Sequence, residues 1–169
     1  MSSPKRLYLN FSTFNNTVTP MEAEHNSVVA FPLLEYVRPR EYEVAVERFS
    51  IPLGALTDTQ IKALLGVMVR TTKLPIVGEW SEGAQFATLV DVLVDPDKMY
   101  DTTTNKRATS LIYLPNYPRK TSFTGQGSLT EFDCKFYGLL KDGSIIPIYL
   151  PVGEGLTLKL VFIRSDVLY

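Results

Sequence analysis

The chain has one cysteine, one histidine and one tryptophan in 169 residues, and its formal charge is only −1. Each scarcity removes a class of function. With Cys134 alone no internal disulfide can form, and a reducing compartment of synthesis is the simpler expectation. The lone His25 cannot supply a histidine pair for a metal, and a Ser-His-Asp arrangement would rest on one residue without a supporting motif. His25 lies in a polar stretch and is expected at the surface. Near-neutrality gives no general attraction to nucleic acid or to anionic membranes. Lys5-Arg6 and Asn105-Lys106-Arg107 are small basic spots, not a stripe.

No apolar run reaches membrane-spanning length, and MSSPKRLYLNFSTF lacks the apolar core of a secretory signal. The glycosylation patterns at Asn10-Phe-Ser12 and Asn15-Asn-Thr17 are therefore read as chance matches. Gly125 and Gly127 lack the third glycine, lysine and following helix of a phosphate loop. One constellation has the chemistry for a hard cation such as calcium: Asp91, Asp95, Asp97 and Asp101. Its spacing is not that of an EF-hand, and Pro96 makes a solvated turn the expectation. No cofactor or metal is expected.

What the sequence does contain is period-two alternation. Leu7, Leu9 and Phe11 alternate with polar neighbours, as do Phe132, Cys134 and Phe136, and Leu156 through Phe162. Cys134 is in phase with two phenylalanines and is read as a buried apolar side chain. Tyr42, Val44 and Val46 share one parity whereas Phe49 and Ile51 take the other, which predicts a bulge near Glu47-Arg48. Further strands are expected over 27–37 (interrupted by Pro32), 66–72, 85–94 and 110–114. Asn15 to Asn26 is expected to be a polar loop. Thr57-Asp-Thr-Gln60 matches a capping box, predicting one short helix from Asp58 to Leu65, stopped by Gly66. About eight strands separated by turn signals imply an all-β sandwich or barrel in one domain.

Three segments add a resemblance. SVVAFPLLEYVRPREYEVAVERFSIP, LVDVLVDP and TEFDCKFYGLLKDGSIIPIYLPVGEGLTLKLVFIR, in that order, resemble the penton-type and minor capsid proteins of polintons, virophages and related double-stranded DNA viruses. Tyr42 to Val46 with Phe49 to Pro52, Ile146-Pro147 and Phe162 to Arg164 carry it. The resemblance implies a single jelly roll, eight strands in two packed antiparallel sheets with one short helix, over residues 1–169 with short flexible terminal arms. It implies a structural protein without catalytic residues: a penton forming a homopentamer at icosahedral vertices, beside the major capsid protein of the same virion. Lys5, Arg6, Asp166, Leu168 and Tyr169, in the terminal segments, are the candidate assembly contacts.

The alternatives are a minor or cement capsid protein and a carbohydrate-binding jelly roll using Trp80, Tyr113 and Tyr117 as platforms. A cupin-type enzyme would need a histidine cluster that this chain cannot form.

Overall fold

A computed structural model of the chain describes residues 5–28, 42–74, 76, 87–123 and 131–166. The strand expected over 27–37 lies largely outside them, as do the WSEG turn and Gly125 and Gly127. Two sheets face each other. In the first, β1 (Arg6–Phe14) pairs with β14 (Gly155–Arg164), which pairs with β4 (Tyr42–Pro52). The far side of β4 takes two short strands end to end, β9 (Ser110–Tyr113) and β10 (Lys120–Ser122). In the second sheet β11 (Glu131–Leu140) pairs with β5 (Leu64–Thr71), and β5 with β6 (Ala87–Leu93). The other side of β11 also takes two strands end to end, β3 (Glu24–Val28) and β12 (Ile145–Pro147).

Counting each broken edge as one strand position leaves eight positions, four per sheet, all antiparallel. The sheet orders interleave early and late strands, so the ends of the chain pair in one sheet while the middle closes the other. That is the jelly roll implied by the resemblance, within the all-β sandwich or barrel expected from the alternation.

Period-two patterning puts the core between the sheets. Leu7, Leu9 and Phe11 sit opposite Phe162, Leu160 and Leu158 and point inward with them. Phe11 stacks on Phe132 at 4.3 Å and Phe49 meets Phe136 edge-on at 5.3 Å, each pair bridging the sheets. Each such buried side chain contributes about 1.5–3 kcal/mol relative to exposure. The parity conflict in β4 is resolved as expected: Lys159 faces Arg48, but the next residue, Leu160, faces Val46. Glu47 is the extra residue, and its bulge lets Val46 and Phe49 both enter the core.

The capping box is present at α1 (Asp58–Ala63). The Thr57 hydroxyl accepts from the Gln60 N–H at 3.2 Å, and the Gln60 side chain accepts from the Thr57 N–H at 2.9 Å. The helix ends earlier than expected, and Gly66 is not its stop. Fully buried Leu64 already begins β5 in extended geometry. Gly66 is a strand residue where a Cβ would lie 2.9 Å from the Val92 carbonyl oxygen. A second one-turn helix, α2 (Pro96–Met99), replaces the expected turn, with Asp95 as its cap.

The polar stretch from Asn15 to Asn26 is only partly a loop. It contains β2 (Met21–Glu22), paired with β13 (Tyr149–Leu150), and then β3. Its turn is organised by Asn15, which is fully buried. The Asn15 amide donates to the Leu150 and Thr19 carbonyls at 2.9 Å each, and its oxygen accepts from the Thr17 N–H and hydroxyl at 2.9 and 2.7 Å. Such a side chain has no room for a glycan.

Candidate assembly surfaces

The side chains with reactive potential are committed to the fold. Cys134 is buried, and burial pushes its thiol up to about 12, so it carries no thiolate near neutrality. His25 is not a surface histidine. In β3 it stands opposite Cys134 and faces inward, against the Phe11 ring at 5.0 Å, with its Nδ1 2.9 Å from the Thr13 hydroxyl. It thereby ties the second sheet to β1 of the first. Burial lowers its pKa below the ordinary 6.5, partly opposed by the Ser12 carbonyl.

The four aspartates are spread over β6 (Asp91), α2 and its cap (Asp97 and Asp95) and the short strand after α2 (Asp101). Asp95 caps α2 by accepting from the Asp97 N–H at 3.1 Å. Asp101 holds the turn between β7 (Tyr100–Asp101) and β8 (Lys106–Arg107), accepting from the Thr103 N–H at 2.9 Å and the Thr104 hydroxyl at 2.7 Å. The Thr104 hydroxyl, with the turn's N–H groups, holds its carboxyl below the ordinary range. Asp91 faces outward from β6 beside Met68. Among the described residues, no group of three or more histidines, cysteines or carboxylates is placed to hold a metal ion.

The basic spot at Lys106-Arg107 is also absorbed locally. Arg107 donates to the Leu53 and Leu56 carbonyls at 2.7 Å each and pairs with Asp58 at 3.0 Å, tying the β8 hairpin to the start of α1. A carboxylate in the second sheet is similarly occupied. Asp133 accepts from the hydroxyls of Thr71 and Thr72 and from the N–H groups of Thr72 and Lys73, fixing the chain as it leaves β5. Burial pushes its carboxyl up, but these hydrogen bonds outweigh burial and hold it below 3.8.

Of the candidate contact residues, the fold brings Lys5, Arg6 and Asp166 to one end of the β1–β14 ladder. Arg6 faces Ile163 within β1, and the Arg164 N–H donates to the Lys5 carbonyl at 3.0 Å. Asp166 folds back on Arg164 in a two-pronged pair at 2.6 and 2.8 Å. The backbone of Lys5 and Arg6 is therefore held by the ladder. Leu168 and Tyr169 lie outside the described residues. Of the aromatic platform residues, Trp80 also lies outside them. Tyr113 turns inward onto Phe49 at 5.1 Å, and Tyr117 alone is widely exposed.

Among the described residues, parts of both outward sheet faces are exposed. On the first sheet, Ser12, Thr157, Ser50 and Ile112 form one row across four strands, and Asn10, Lys159 and Arg48 form the next. The Lys159 ammonium lies 2.9 Å from a Glu47 carboxylate oxygen. A groove of about 490 Å³ runs along these rows to Ile112 and Leu114, which are 71% and 69% exposed. Farther along, Ala45, Val161 and Ile163 form a small buried cluster on the same face. On the second sheet, Leu93 is 80% exposed opposite Gly66. The alternation did not single out Leu93 or Ile112. Both sit in mixed apolar runs, DVLV and SLIYL, where either parity could have been the inner one.

No protein-family model and no curated protein matches the chain. Solved structures do. The mavirus penton protein matches with a TM-score of 0.70 at 9% identity, covering 94% of this chain and 99% of that one. A chain in the cryo-EM structure of the Sputnik virophage matches at 20% identity and a TM-score of 0.45, covering 62% of this chain and 30% of that one. The chain thus has, over nearly its whole length, the single jelly-roll fold of the mavirus penton protein.

Proposed function

We propose that the chain is a structural capsid protein, the penton that forms a homopentamer at the fivefold vertices of an icosahedral virion. The observation that carries this reading is the end-to-end likeness to the mavirus penton protein, in which neither chain leaves a substantial segment unmatched. The committed chemistry of His25, Cys134 and the aspartates supports it, because such a protein works through shape and contact area and not through catalysis.

In this reading the chain is one domain with terminal arms, located in the virion. Its partners are four further copies of itself and the major capsid protein around the vertex. Lys5, Arg6 and Asp166 at the end of the β1–β14 ladder, with Leu168 and Tyr169, contribute contacts to neighbouring subunits. Native mass spectrometry on the purified chain, with versions trimmed at residues 1–6 and 165–169, tests this, alongside particle imaging with a labelled chain. Five-chain assemblies weakened by trimming, and label at the vertices, are expected. A chain that stays monomeric and is absent from the vertices would refute the reading.

A further inference from the structure

Two exposed apolar features sit on opposite outer faces of the sandwich. Leu93 projects from the second sheet, because its neighbour Val92 packs into the core. Ile112 and Leu114 border the groove on the first sheet, because Leu111 and Tyr113 take the inward positions. β4 and β6 lie across the sandwich from one another, so both features belong to the same side region of the molecule.

They also share one level along the strands. Helix α1 joins the end of β4 to the start of β5. Ile112 pairs with Ser50 near that end, and Leu93 pairs with Gly66 near that start. The chemistry is complementary as well. The groove carries the exposed Arg48, which has no ion-pair partner among the described residues. Leu93 is followed by the exposed carboxylates of Asp95 and Asp97.

We infer that Leu93 of one copy docks in the Ile112–Leu114 groove of the next, with Asp95 or Asp97 facing Arg48. The occupant is thus a second copy of this chain. The outer faces of two stacked sheets point in opposite directions, so a contact between them is head-to-tail by construction. Because both patches lie at the same level, successive copies do not climb along the strand axis, and the contact closes into a ring of five when each step also turns by one fifth of a circle. The inference rests on the homopentamer reading and supplies its lateral contact.

Cysteine cross-linking tests it on the full-length chain, where buried Cys134 stays silent. Leu93→Cys and Ile112→Cys are made separately and together. Oxidising a mixture of the two single variants should give dimers containing one of each, and the double variant should give a ladder ending at five chains. Either single variant alone should stay uncross-linked. Leu93→Asp should raise the concentration at which the assembly dissociates by at least about tenfold. Efficient cross-linking of a single variant to itself would show a symmetric contact and overturn the inference. So would five-chain assemblies, seen by native mass spectrometry, in which the double variant forms no cross-links; the homopentamer reading would then stand. A wild-type chain that remains at 19.0 kDa at every concentration removes both.

Discussion

Replacing Asn15 probes the fold where a single buried side chain holds three backbone groups. The residue is fully buried and uses its whole hydrogen-bonding capacity: two amide donors to the Leu150 and Thr19 carbonyls, and one oxygen shared by the Thr17 N–H and hydroxyl. Asn15→Ala leaves the buried Leu150 carbonyl without that donor and frees the partly buried Thr17 N–H. At about 1–3 kcal/mol per buried group left unpaired, and less where water can enter, the expected loss is about 2–4 kcal/mol. Asn15→Asp is the sharper test, since it preserves size and shape. It places a carboxylate oxygen against the Leu150 and Thr19 carbonyl oxygens, which both lose the amide donor, so at pH 7 it should cost at least as much as alanine. Lowering the pH should recover part of that loss, because a protonated carboxyl regains one donor. Urea unfolding followed by tyrosine fluorescence reads both variants; with slopes of about 1–3 kcal/mol per molar, midpoints should fall by about 1–2 M. A loss below about 1 kcal/mol for alanine, or an aspartate variant milder than alanine at pH 7, would refute the reasoning.

Three further outcomes follow from the geometry. Gly66→Ala should destabilise the fold by about 1–3 kcal/mol in the same assay, since its Cβ would meet the Val92 carbonyl of the neighbouring strand at 2.9 Å. Cys134 should resist thiol reagents in the native protein and label only as fast as the molecule unfolds, a rate measured by mass spectrometry against urea concentration. His25 has a folded pKa below its ordinary 6.5, so the unfolded chain binds more protons as the pH falls from that value. Stability from neutral His25 is full above about 6.5 and declines as the pH falls toward the folded value. His25→Phe should remove that part of the slope in urea midpoints measured between pH 7 and 5.

Much of the fold was legible because its rules are local. The parity change between Val46 and Phe49 located the bulge at Glu47, and the Thr57–Gln60 spacing located the start of α1. The region from Asn15 to Asn26 was not legible, because its structure comes from residues more than a hundred positions away: β3 lies on β11, and Asn15 reaches Leu150. Only alternate positions of β3 face inward, and these are His25 and Ser27, so a strand of the sandwich reads as polar chain. Gly66 misled for a different reason. A glycine that ends a helix and one that admits a neighbouring strand's carbonyl look alike in sequence. Nothing but position in the sequence marks the terminal contact residues. The outward patches needed both sheet pairings before inner and outer sides could be told apart.

The broken strands at the sheet margins bear on how such a protein survives crowding. An open sheet edge is a template onto which any extended chain can add, and the hazard grows with local concentration. Along β4 the edge is split between β9 and β10, with Pro115 and Pro118 in the gap. Along β11 it is split between β3 and β12, and β6 is interrupted by a register shift around Leu89. None of these margins offers a long, flat row of free backbone groups. β1 is the exception among the described residues, running unbroken from Arg6 to Phe14 against β14. Off-pathway polymerisation would therefore be expected to start there, and a proline or an inserted residue in the middle of β1 is the change that would weigh fibre formation against loss of the native ladder.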